Sequence, residues 1–249
     1  MKRIRIIAAA LILALAAAMA AGCTQQSSRE AQEAEGGRQP AAADKDRNAG
    51  RPRELILAVG GEPDAGFDPT TGWGRYGSPL FQSTLLKYDH DLNIVNDLAA
   101  GYQVSGDGLV WTVTLREDAL FSDGVPVTAE DVVYTFEAAA SGGSVVDLQV
   151  LSRVEAADAR TVRFTLKEVR STFVYSLITT GIVPKHAHGA DYALRPLGSG
   201  PYRFVQWDRG QQLIVEANPL YYGETPYFEK VTFLFLGEDA AFAAAQAGA

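Results

Sequence analysis

The stretch Gly108-Leu-Val-Trp-Thr-Val-Thr-Leu115, followed by Thr128-Ala-Glu-Asp131, contains the two patterns that decide the fold class. In the first stretch apolar residues alternate mainly with threonine, which is typical of a strand with one buried face. The second stretch is similar to a capping box, and the apolar residues from Val132 to Ala140 that follow it have helical spacing. A strand and a helix are therefore predicted in this region.

The same two patterns recur on both sides of this region. A helix is predicted to start at Ser78 and to run to about Tyr88, because serine and Pro79 suit its first positions and Phe81 and Leu85 fall on one face. Because helices and strands interleave irregularly, we expect a mixed α/β fold. The remaining predicted elements are strands at residues 55–59, 162–166, 202–207, 212–216 and 231–236 and a terminal helix at 238–247.

Composition and charge exclude several classes of function. The chain has 249 residues, of which 47% are apolar, so it can bury a substantial core. Its 30 acidic residues outnumber its 22 basic residues, and the net charge of -8 argues against a nucleic-acid partner. Its single cysteine excludes an internal disulfide and a cysteine-rich metal centre.

The N-terminal residues have the features of an export signal. Basic residues, the last of them Arg5, precede an apolar run from Ile6 to Met19 that is short for a permanent membrane span. Small residues at 20–22 then lead into Cys23, a pattern similar to the lipobox of bacterial lipoproteins, although alanine replaces the usual leucine at its start. We expect residues 1–22 to be a signal peptide and Cys23 to carry a lipid. An ordinary signal peptide with a chance cysteine is the alternative.

Residues 23–53 are predicted to be a lipidated cysteine and a disordered tether. No valine, isoleucine, leucine or aromatic residue occurs in residues 24–53, so the segment cannot offset the entropy of ordering it. Residues 54–249 are the folded body. The expected location is the outer face of the bacterial cytoplasmic membrane, with the lipid bilayer as a partner through Cys23.

Catalytic and metal-binding patterns are sparse in the body. It contains no Gly-x-Ser-x-Gly elbow, and the one cysteine is assigned to the anchor, so covalent catalysis is not expected. His186 and His188 would share a face only on a strand, and we interpret them as exposed loop histidines rather than metal ligands. The glycines of Gly198-Ser-Gly200 are expected to permit a turn. We therefore expect no enzyme activity, no cofactor and no metal.

One loop is rich in residue types that line recognition surfaces. Phe67-Asp-Pro-Thr-Thr-Gly-Trp-Gly-Arg-Tyr-Gly77 places Trp73, Arg75 and Tyr76 among glycines. An aromatic ring next to a cation suits a small polar ligand. Packing of Trp73 and Tyr76 on the adjacent helix is an equally good interpretation. Composition thus leads to an exported binding module.

Short segments throughout the body form an ordered set. They are Phe67-Asp-Pro69, Leu86-Lys-Tyr-Asp89, Asp97-Leu-Ala-Ala-Gly-Tyr102, the stretches 105–116 and 121–133, Gly198-Ser-Gly-Pro-Tyr202, Asn218-Pro219 and Tyr221-Tyr-Gly223. In order and interval they resemble the extracellular solute-binding protein family 5, the peptide/nickel-type receptors of ABC importers, from about Leu55 to Ala249. Each segment alone is a weak signal, but the set is specific for the scaffold and does not identify the ligand.

This resemblance implies a lobe of the periplasmic-binding-protein type II kind, with mixed sheets and flanking helices. Members of the family are considerably longer than this chain and have a second lobe after the terminal helix, so the resemblance implies the N-terminal lobe alone, with the second lobe absent. It also implies a ligand enclosed between two lobes and passed to the transmembrane subunits of an ABC permease. We expect a monomer.

The resemblance also implies where the ligand binds. Nickel-chelate receptors of the family often have arginine or tryptophan in two of the cleft stretches where this chain has small or apolar residues, so the expected ligand is a short peptide or similar small polar solute. A metal-chelate receptor and a surface lipoprotein that binds other proteins are the alternatives. The candidate residues are Thr70, Trp73, Arg75 and Tyr76 in the first cleft stretch, Ser144 and Val145 after the capped helix, and Thr179 and Thr180 in a turn.

Overall fold

The computed structural model describes residues 53–77, 79–142 and 147–247. The predicted signal peptide, Cys23 and almost all of the predicted tether lie outside these residues, and so do the candidate site residues Ser144 and Val145. Within the described part of the chain, no helix has the length and apolar character needed to cross a membrane.

Ten strands and three α-helices form within the described residues. The strands are β1 (Glu54–Val59), β2 (Leu86–Tyr88), β3 (Ile94–Asn96), β4 (Ala99–Val104), β5 (Val110–Leu115), β6 (Leu151–Ala156), β7 (Thr161–Leu166), β8 (Tyr202–Asp208), β9 (Gln212–Ala217) and β10 (Lys230–Phe235). The helices are α1 (Ala129–Ser141), α2 (Phe173–Thr179) and α3 (Glu238–Gln246), with short 3-10 turns at Pro69–Thr71 and Tyr192–Leu194. This order of elements confirms the mixed α/β fold class.

The first sheet has the strand order β1-β10-β9-β8. β1 runs parallel to β10, whereas the other neighbouring strands are antiparallel. Leu213 and Val215, alternate residues of β9, are buried on one face, as the period of a strand requires. They pack in one hydrophobic core with Phe67 and Phe81. This sheet therefore supports the chain at the start of the loop 67–77.

The second sheet is antiparallel throughout and has the strand order β4-β5-β7-β6. Trp111, Val113 and Leu115 of β5 are buried, which confirms the alternation predicted for this stretch. Helices α1 and α2 contribute to the same core, where Phe136 of α1 packs on Phe164 of β7 with ring centroids 4.8 Å apart. The strands β2 and β3 form a separate small hairpin.

Helix α1 begins as the capping pattern predicts. The backbone N–H and the hydroxyl of Thr128 both donate to Oδ2 of Asp131, at 2.9 and 2.7 Å. The other carboxylate oxygen, Oδ1, accepts the backbone N–H of Lys185 at 2.9 Å. Because both oxygens of this buried carboxylate have partners, its burial is compensated. Asp131 thus starts the helix and also holds the chain at Lys185.

The prediction of a helix from Ser78 to Tyr88 is wrong. Residues 79–85 form no helix or strand, and β2 begins at Leu86. The apolar side chains that suggested one helical face enter different cores, Phe81 with the first sheet and Leu85 with the second. A helix would place these two positions on the same face. The chain remains irregular here because its side chains pack in both cores.

The glycines at positions 198 and 200 are required for a different reason from the turn that was predicted. The backbone N–H of Gly200 donates to the carbonyl oxygen of Phe81 at 2.7 Å. A Cβ on Gly198 would lie only 2.1 Å from that same oxygen. Neither glycine has a positive φ. Glycine is needed here for the close approach of two backbones rather than for a left-handed conformation.

Candidate functional site

Asp68 shapes the loop at residues 67–77. Its carboxylate oxygen Oδ1 accepts the backbone N–H and the hydroxyl of Thr70, each at 2.8 Å, and so caps the 3-10 turn Pro69–Thr71. Gly72 ends the turn with a φ of 110°, a conformation that favours glycine. Thr70 is buried and its hydroxyl is bound to Asp68. This predicted ligand residue therefore shapes the loop and lines neither of the two grooves described below.

A largely buried chain of hydrogen bonds attaches the loop to helix α1. Nε2 of His188 lies 3.0 Å from Oδ2 of Asp68, and Nδ1 of His188 lies 2.8 Å from the hydroxyl of Tyr134 on α1. Burial by itself raises the pKa of Asp68, but hydrogen bonds from His188 and Thr70 outweigh burial and lower that pKa. The carboxylate is therefore ionised at neutral pH, where it accepts bonds from both sides.

The two histidines predicted to be exposed loop residues have different environments. His188 is largely buried, so the prediction is wrong for that residue. His186 is 40% exposed and lies 2.8 Å from the carboxylate of Asp123. The two rings thus belong to separate networks. Among residues 53–77, 79–142 and 147–247, no group of three His, Cys, Asp or Glu side chains could hold a metal ion.

An open groove of about 820 Å³ borders the loop, and we call it the apolar groove. Trp73 meets Phe67 edge-on, with ring centroids 4.9 Å apart. Trp73 therefore packs on the core of the first sheet and also forms part of the groove wall. The adjacent helix on which one interpretation placed this side chain does not form. The large apolar side chains that line the groove are Phe67, Trp73, Leu80, Leu213, Phe233 and Phe235.

A second open groove, of about 560 Å³, shares Arg75 and Tyr76 with the apolar groove, and we call it the polar groove. Thr179 at the end of α2 also lines it. The structure thus brings together residues from two stretches that the sequence predicted to bind ligand. The other residues of its lining are Asp147, Val150, Arg170, Thr172, Phe173, Tyr175 and Ser176.

Arg75 and Tyr76 form the shared border of the two grooves. The guanidinium carbon of Arg75 lies 4.6 Å from the centroid of the Tyr76 ring, and Nη2 donates to the Tyr76 hydroxyl at 2.6 Å. Tyr76 nevertheless remains 89% exposed. It does not pack on a helix, so the packing interpretation is wrong for this residue. The pair presents a cation and an aromatic ring to solvent.

Thr180 is fully buried and lines neither groove. Its hydroxyl has no hydrogen-bond partner among the described residues. Beside it, Gly181 approaches Pro79 and Gln82 so closely that a Cβ would lie 2.7 and 2.8 Å from their side chains. This turn therefore packs against the irregular segment before β2, and Thr179 is the residue of the pair that reaches a groove.

The groove-lining residues of the first sheet and of the loop after β1 were not predicted from the sequence. Phe233 and Phe235 lie at the end of β10, and Asp64 lies on the loop after β1. The alternation of Phe233 and Phe235 predicts that they share one face of a strand. No local signal indicates that this face borders the loop 67–77, because the parallel pairing of β1 with β10 places it there.

Segments of the ordered motif set meet in an ionic cluster around the buried carboxylate of Asp97. The carboxylate of Asp97 lies 3.0 Å from Nζ of Lys87 and accepts the hydroxyl of Tyr222 at 2.8 Å. The guanidinium of Arg116 lies over the Tyr222 ring at 3.9 Å. Burial, and then the charge of Asp97, raise the pKa of Tyr222, so this phenol stays protonated. These residues line neither groove and maintain the fold.

Curated relatives match most of this chain. The oligopeptide-binding protein AppA of Bacillus subtilis is 31% identical over 223 residues, which are 81% of this chain and 41% of AppA. An Escherichia coli protein described as "Probable D,D-dipeptide-binding periplasmic protein DdpA" is 36% identical over 179 residues, 65% of this chain and 34% of that protein. The chain therefore spans between 34% and 41% of the length of these relatives.

Solved structures share the fold of the described residues. AppA in complex with a nonapeptide matches with a TM-score of 0.73 at 29% identity, over 79% of this chain and 43% of AppA. NikZ from Campylobacter jejuni in complex with Ni(L-His) matches with a TM-score of 0.72 at 27% identity, over 78% of this chain and 42% of NikZ. The fold expected from the resemblance, that of a substrate-binding protein lobe, is confirmed.

The match to a family model extends over most of the body. It covers residues 93–249, more than half of the chain, and the model is that of the bacterial extracellular solute-binding proteins, family 5 middle region. The ordered motif segments and the structural matches agree with it. The chain belongs to family 5 of the bacterial extracellular solute-binding proteins.

Proposed function

We propose that this chain is the ligand-capturing part of a substrate-binding component of an ABC importer. It binds a short peptide or a similar small polar solute and delivers it to the transmembrane subunits of the permease. Membership of a solute-binding family supports a binding role without catalysis. The names of AppA and DdpA, which refer to oligopeptides and a dipeptide, support a peptide as the ligand.

The observation that carries this proposal is the meeting of two open grooves at Arg75 and Tyr76. Sites for small solutes are concave and mainly apolar, with a few polar groups that orient the ligand. The apolar groove offers several aromatic rings, and the shared border offers a guanidinium and a phenol. We propose Trp73, Arg75, Tyr76 and Thr179 as ligand contacts.

We further propose that the protein is exported and acts as a monomer at the outer face of the cytoplasmic membrane. Residues 1–22 are the signal peptide, a lipid on Cys23 is the anchor, and residues 24–53 tether the body 54–249. The extracellular character of the family supports export. The anchor is supported by the basic, apolar and small residues that precede Cys23.

Saturation-transfer NMR and calorimetric titration of the chain with di-, tri- and tetrapeptides test the proposed function, because the first method detects weak binding and the second detects strong binding. We expect binding of a subset of the peptides. We expect Tyr76→Ala to bind these peptides roughly tenfold more weakly than the wild-type chain, or more weakly still. Tyr227→Ala is the matched control. Tyr227 is also exposed, at 66%, and Arg53 lies over its ring at 4.7 Å, but it lines neither groove.

The possible outcomes separate the alternatives. Equal binding by the wild-type chain and Tyr76→Ala would place the peptide away from the two grooves. No binding of any peptide would contradict the proposed function. If a nickel–histidine complex tested in the same series binds where peptides do not, a chelate receptor replaces the peptide receptor.

A further inference from the structure

Strand β6 forms one edge of the second sheet, where it pairs with β7 alone within the described part of the chain. Just after β6, the backbone N–H of Ala157 donates to the carbonyl oxygen of Thr161 on β7 at 2.8 Å. Backbone groups of successive strand residues point in alternate directions, so the N–H and C=O groups of Val154 and Ala156 point away from β7. No residue that the structure describes forms a hydrogen bond with these groups. They are available to a further strand.

A groove of about 670 Å³ lies between this edge and helix α1, and we call it the edge groove. All six residues of β6 line one side of it, and residues of α1 between Val133 and Ser141 line the other. An extended segment that joins a strand edge gains backbone hydrogen bonds, and its alternate side chains enter pockets beside the strand. The edge and the groove together offer both kinds of contact.

Two charged side chains on β6 do not block this edge, although charges on edge strands commonly prevent association. Nη2 of Arg153 lies 2.7 Å from the carboxylate of Glu155, so the two charges compensate each other. Both side chains project from the face opposite Val154, whose side chain is buried in the same core as Phe136 of α1. The face of β6 that borders the groove therefore presents the apolar side chains of Val154 and Ala156.

The α1 side of the edge groove determines which side chains suit it. Glu137 is exposed and takes part in no ion pair among the described residues, whereas Glu130 of the same helix pairs with Lys185 at 3.0 Å. Val133 lies one turn before Glu137, about 6 Å along the helix axis. Alternate residues of a strand face the same side and are about 6.6 Å apart. An added strand can therefore place one side chain opposite Val133 and the next alternate one opposite Glu137.

We propose that β6 and the edge groove bind an extended segment of a partner protein, which joins the second sheet as an antiparallel strand beside β6. The segment carries an apolar side chain opposite Val133 and a basic side chain opposite Glu137, two residues apart. The charge of Glu137 and the apolar face of β6 select for this chemistry. The edge groove shares no residue with the apolar and polar grooves, so the inference goes beyond the proposed function and does not depend on it.

A capped peptide, acetyl-Thr-Val-Thr-Lys-Thr-Val-Thr-amide, is the probe for this surface. Its blocked ends remove the terminal charges, and its valines and lysine alternate with threonines. The measurement is an NMR titration of the chain with this peptide. We expect the amide protons of Val154 and Ala156 to shift downfield and to exchange more slowly with solvent, because both N–H groups become hydrogen-bonded.

N-methylation of the probe distinguishes strand addition from other modes of binding. In an antiparallel pair, the residues whose side chains face the groove also direct their N–H groups to Val154 and Ala156. Methylation of the lysine amide should weaken binding roughly tenfold or more, because a ladder hydrogen bond is lost and the methyl group separates the strands. Methylation of the next threonine amide, whose N–H points away from β6, is the matched control and should change the affinity by about twofold at most. Equal affinities of the two methylated peptides overturn the inference.

Variants of the chain locate the bound peptide. Ala156→Pro removes an N–H that points away from β7 and should abolish binding, whereas Ala156→Ser keeps that N–H and should bind like the wild type. Glu137→Gln should weaken binding roughly two- to fivefold, as the loss of an exposed ion pair does, and Glu130→Gln should leave binding unchanged. Thermal unfolding of each variant verifies that the fold is intact.

Three further results would overturn the inference. The first is the absence of binding by the unmethylated peptide at millimolar concentration. The second is binding that Tyr76→Ala abolishes, because the peptide would then occupy the apolar and polar grooves. The third is a dimer of the chain that Ala156→Pro disrupts, because a second copy would then cover the edge. The uncapped peptides test the solute-binding role separately.

Discussion

The imidazole of His188 lies 3.0 Å from the carboxylate of Asp68, a residue 120 positions earlier in the chain. Neither residue lines a groove, yet Asp68 caps the turn that precedes Trp73 and Arg75, and His188 also bonds to helix α1 through Tyr134. The shape of the proposed ligand site therefore depends on a contact outside it. This pair should influence both stability and binding.

We expect Asp68 to make the stability of the body dependent on pH at the acid end. Its pKa is lowered in the folded state, so its contribution is complete above the unfolded pKa of about 4 and is lost as the pH falls through the lower folded value. Asp68→Asn should reduce the free energy of unfolding at neutral pH by roughly 1–3 kcal/mol and flatten this acid dependence. Urea denaturation across the acid range measures both effects.

Asp123→Asn is the control for that measurement. Asp123 also pairs with a histidine, but the side chains of Asp123 and His186 are 31% and 40% exposed, so solvent screens the pair. We expect a loss of less than about 1 kcal/mol. Equal losses of unfolding free energy in the two variants would show that burial of the Asp68–His188 pair adds nothing to stability.

Substitution of Gly198 should greatly reduce the stability of the protein. A Cβ at this position would lie 2.1 Å from the carbonyl oxygen of Phe81, and that oxygen also accepts the N–H of Gly200. We expect Gly198→Ala to lose about 3 kcal/mol or more of unfolding free energy, or to fail to fold. Gly189→Ala has no atom within 4 Å of its new Cβ and should change stability by about 0.5 kcal/mol at most. Wild-type stability in Gly198→Ala would disprove the need for this backbone approach.

The ionic cluster around the buried Asp97 carboxylate should contribute to stability and not to ligand binding. Tyr222→Phe removes the hydroxyl that donates to the Asp97 carboxylate, and we expect a loss of roughly 1.5–3 kcal/mol, as for hydrogen bonds to charged groups. Tyr202→Phe removes a donor to the neutral carbonyl of Phe228, and the loss should be about 1 kcal/mol. Peptide affinity of the folded Tyr222→Phe protein should equal that of the wild type. A weaker affinity would extend the site to this cluster.

The lipid anchor has a direct test in cells. In a bacterial host, labelled palmitate should be incorporated into the wild-type protein and into Thr24→Ser, which changes the residue after the proposed anchor but keeps Cys23. Cys23→Ser should incorporate no label and should be released from the membrane fraction. Label that persists in Cys23→Ser would contradict the anchor, and export without any labelling would favour an ordinary signal peptide.

The sequence by itself determined the family and those regular elements that have a clear local pattern. Alternation in β5 and the threonine–aspartate pattern at the start of α1 act over a few neighbouring residues, so they can be recognised without the fold. Signature segments predicted the scaffold because many of their residues maintain it. Asp97 and Tyr222, which lie in two of those segments, meet in the ionic cluster.

The tertiary structure alone decided which residues line the two grooves. Thr70 was predicted to bind ligand, but its hydroxyl is bound to Asp68, whereas Phe233 and Phe235 were not predicted and line the apolar groove. Phe81 and Leu85 have helical spacing but enter different cores. The physical reason is the same in each instance. Pairing of distant strands and close approach of distant backbones determine these contacts, and a pattern of neighbouring residues contains no information about them.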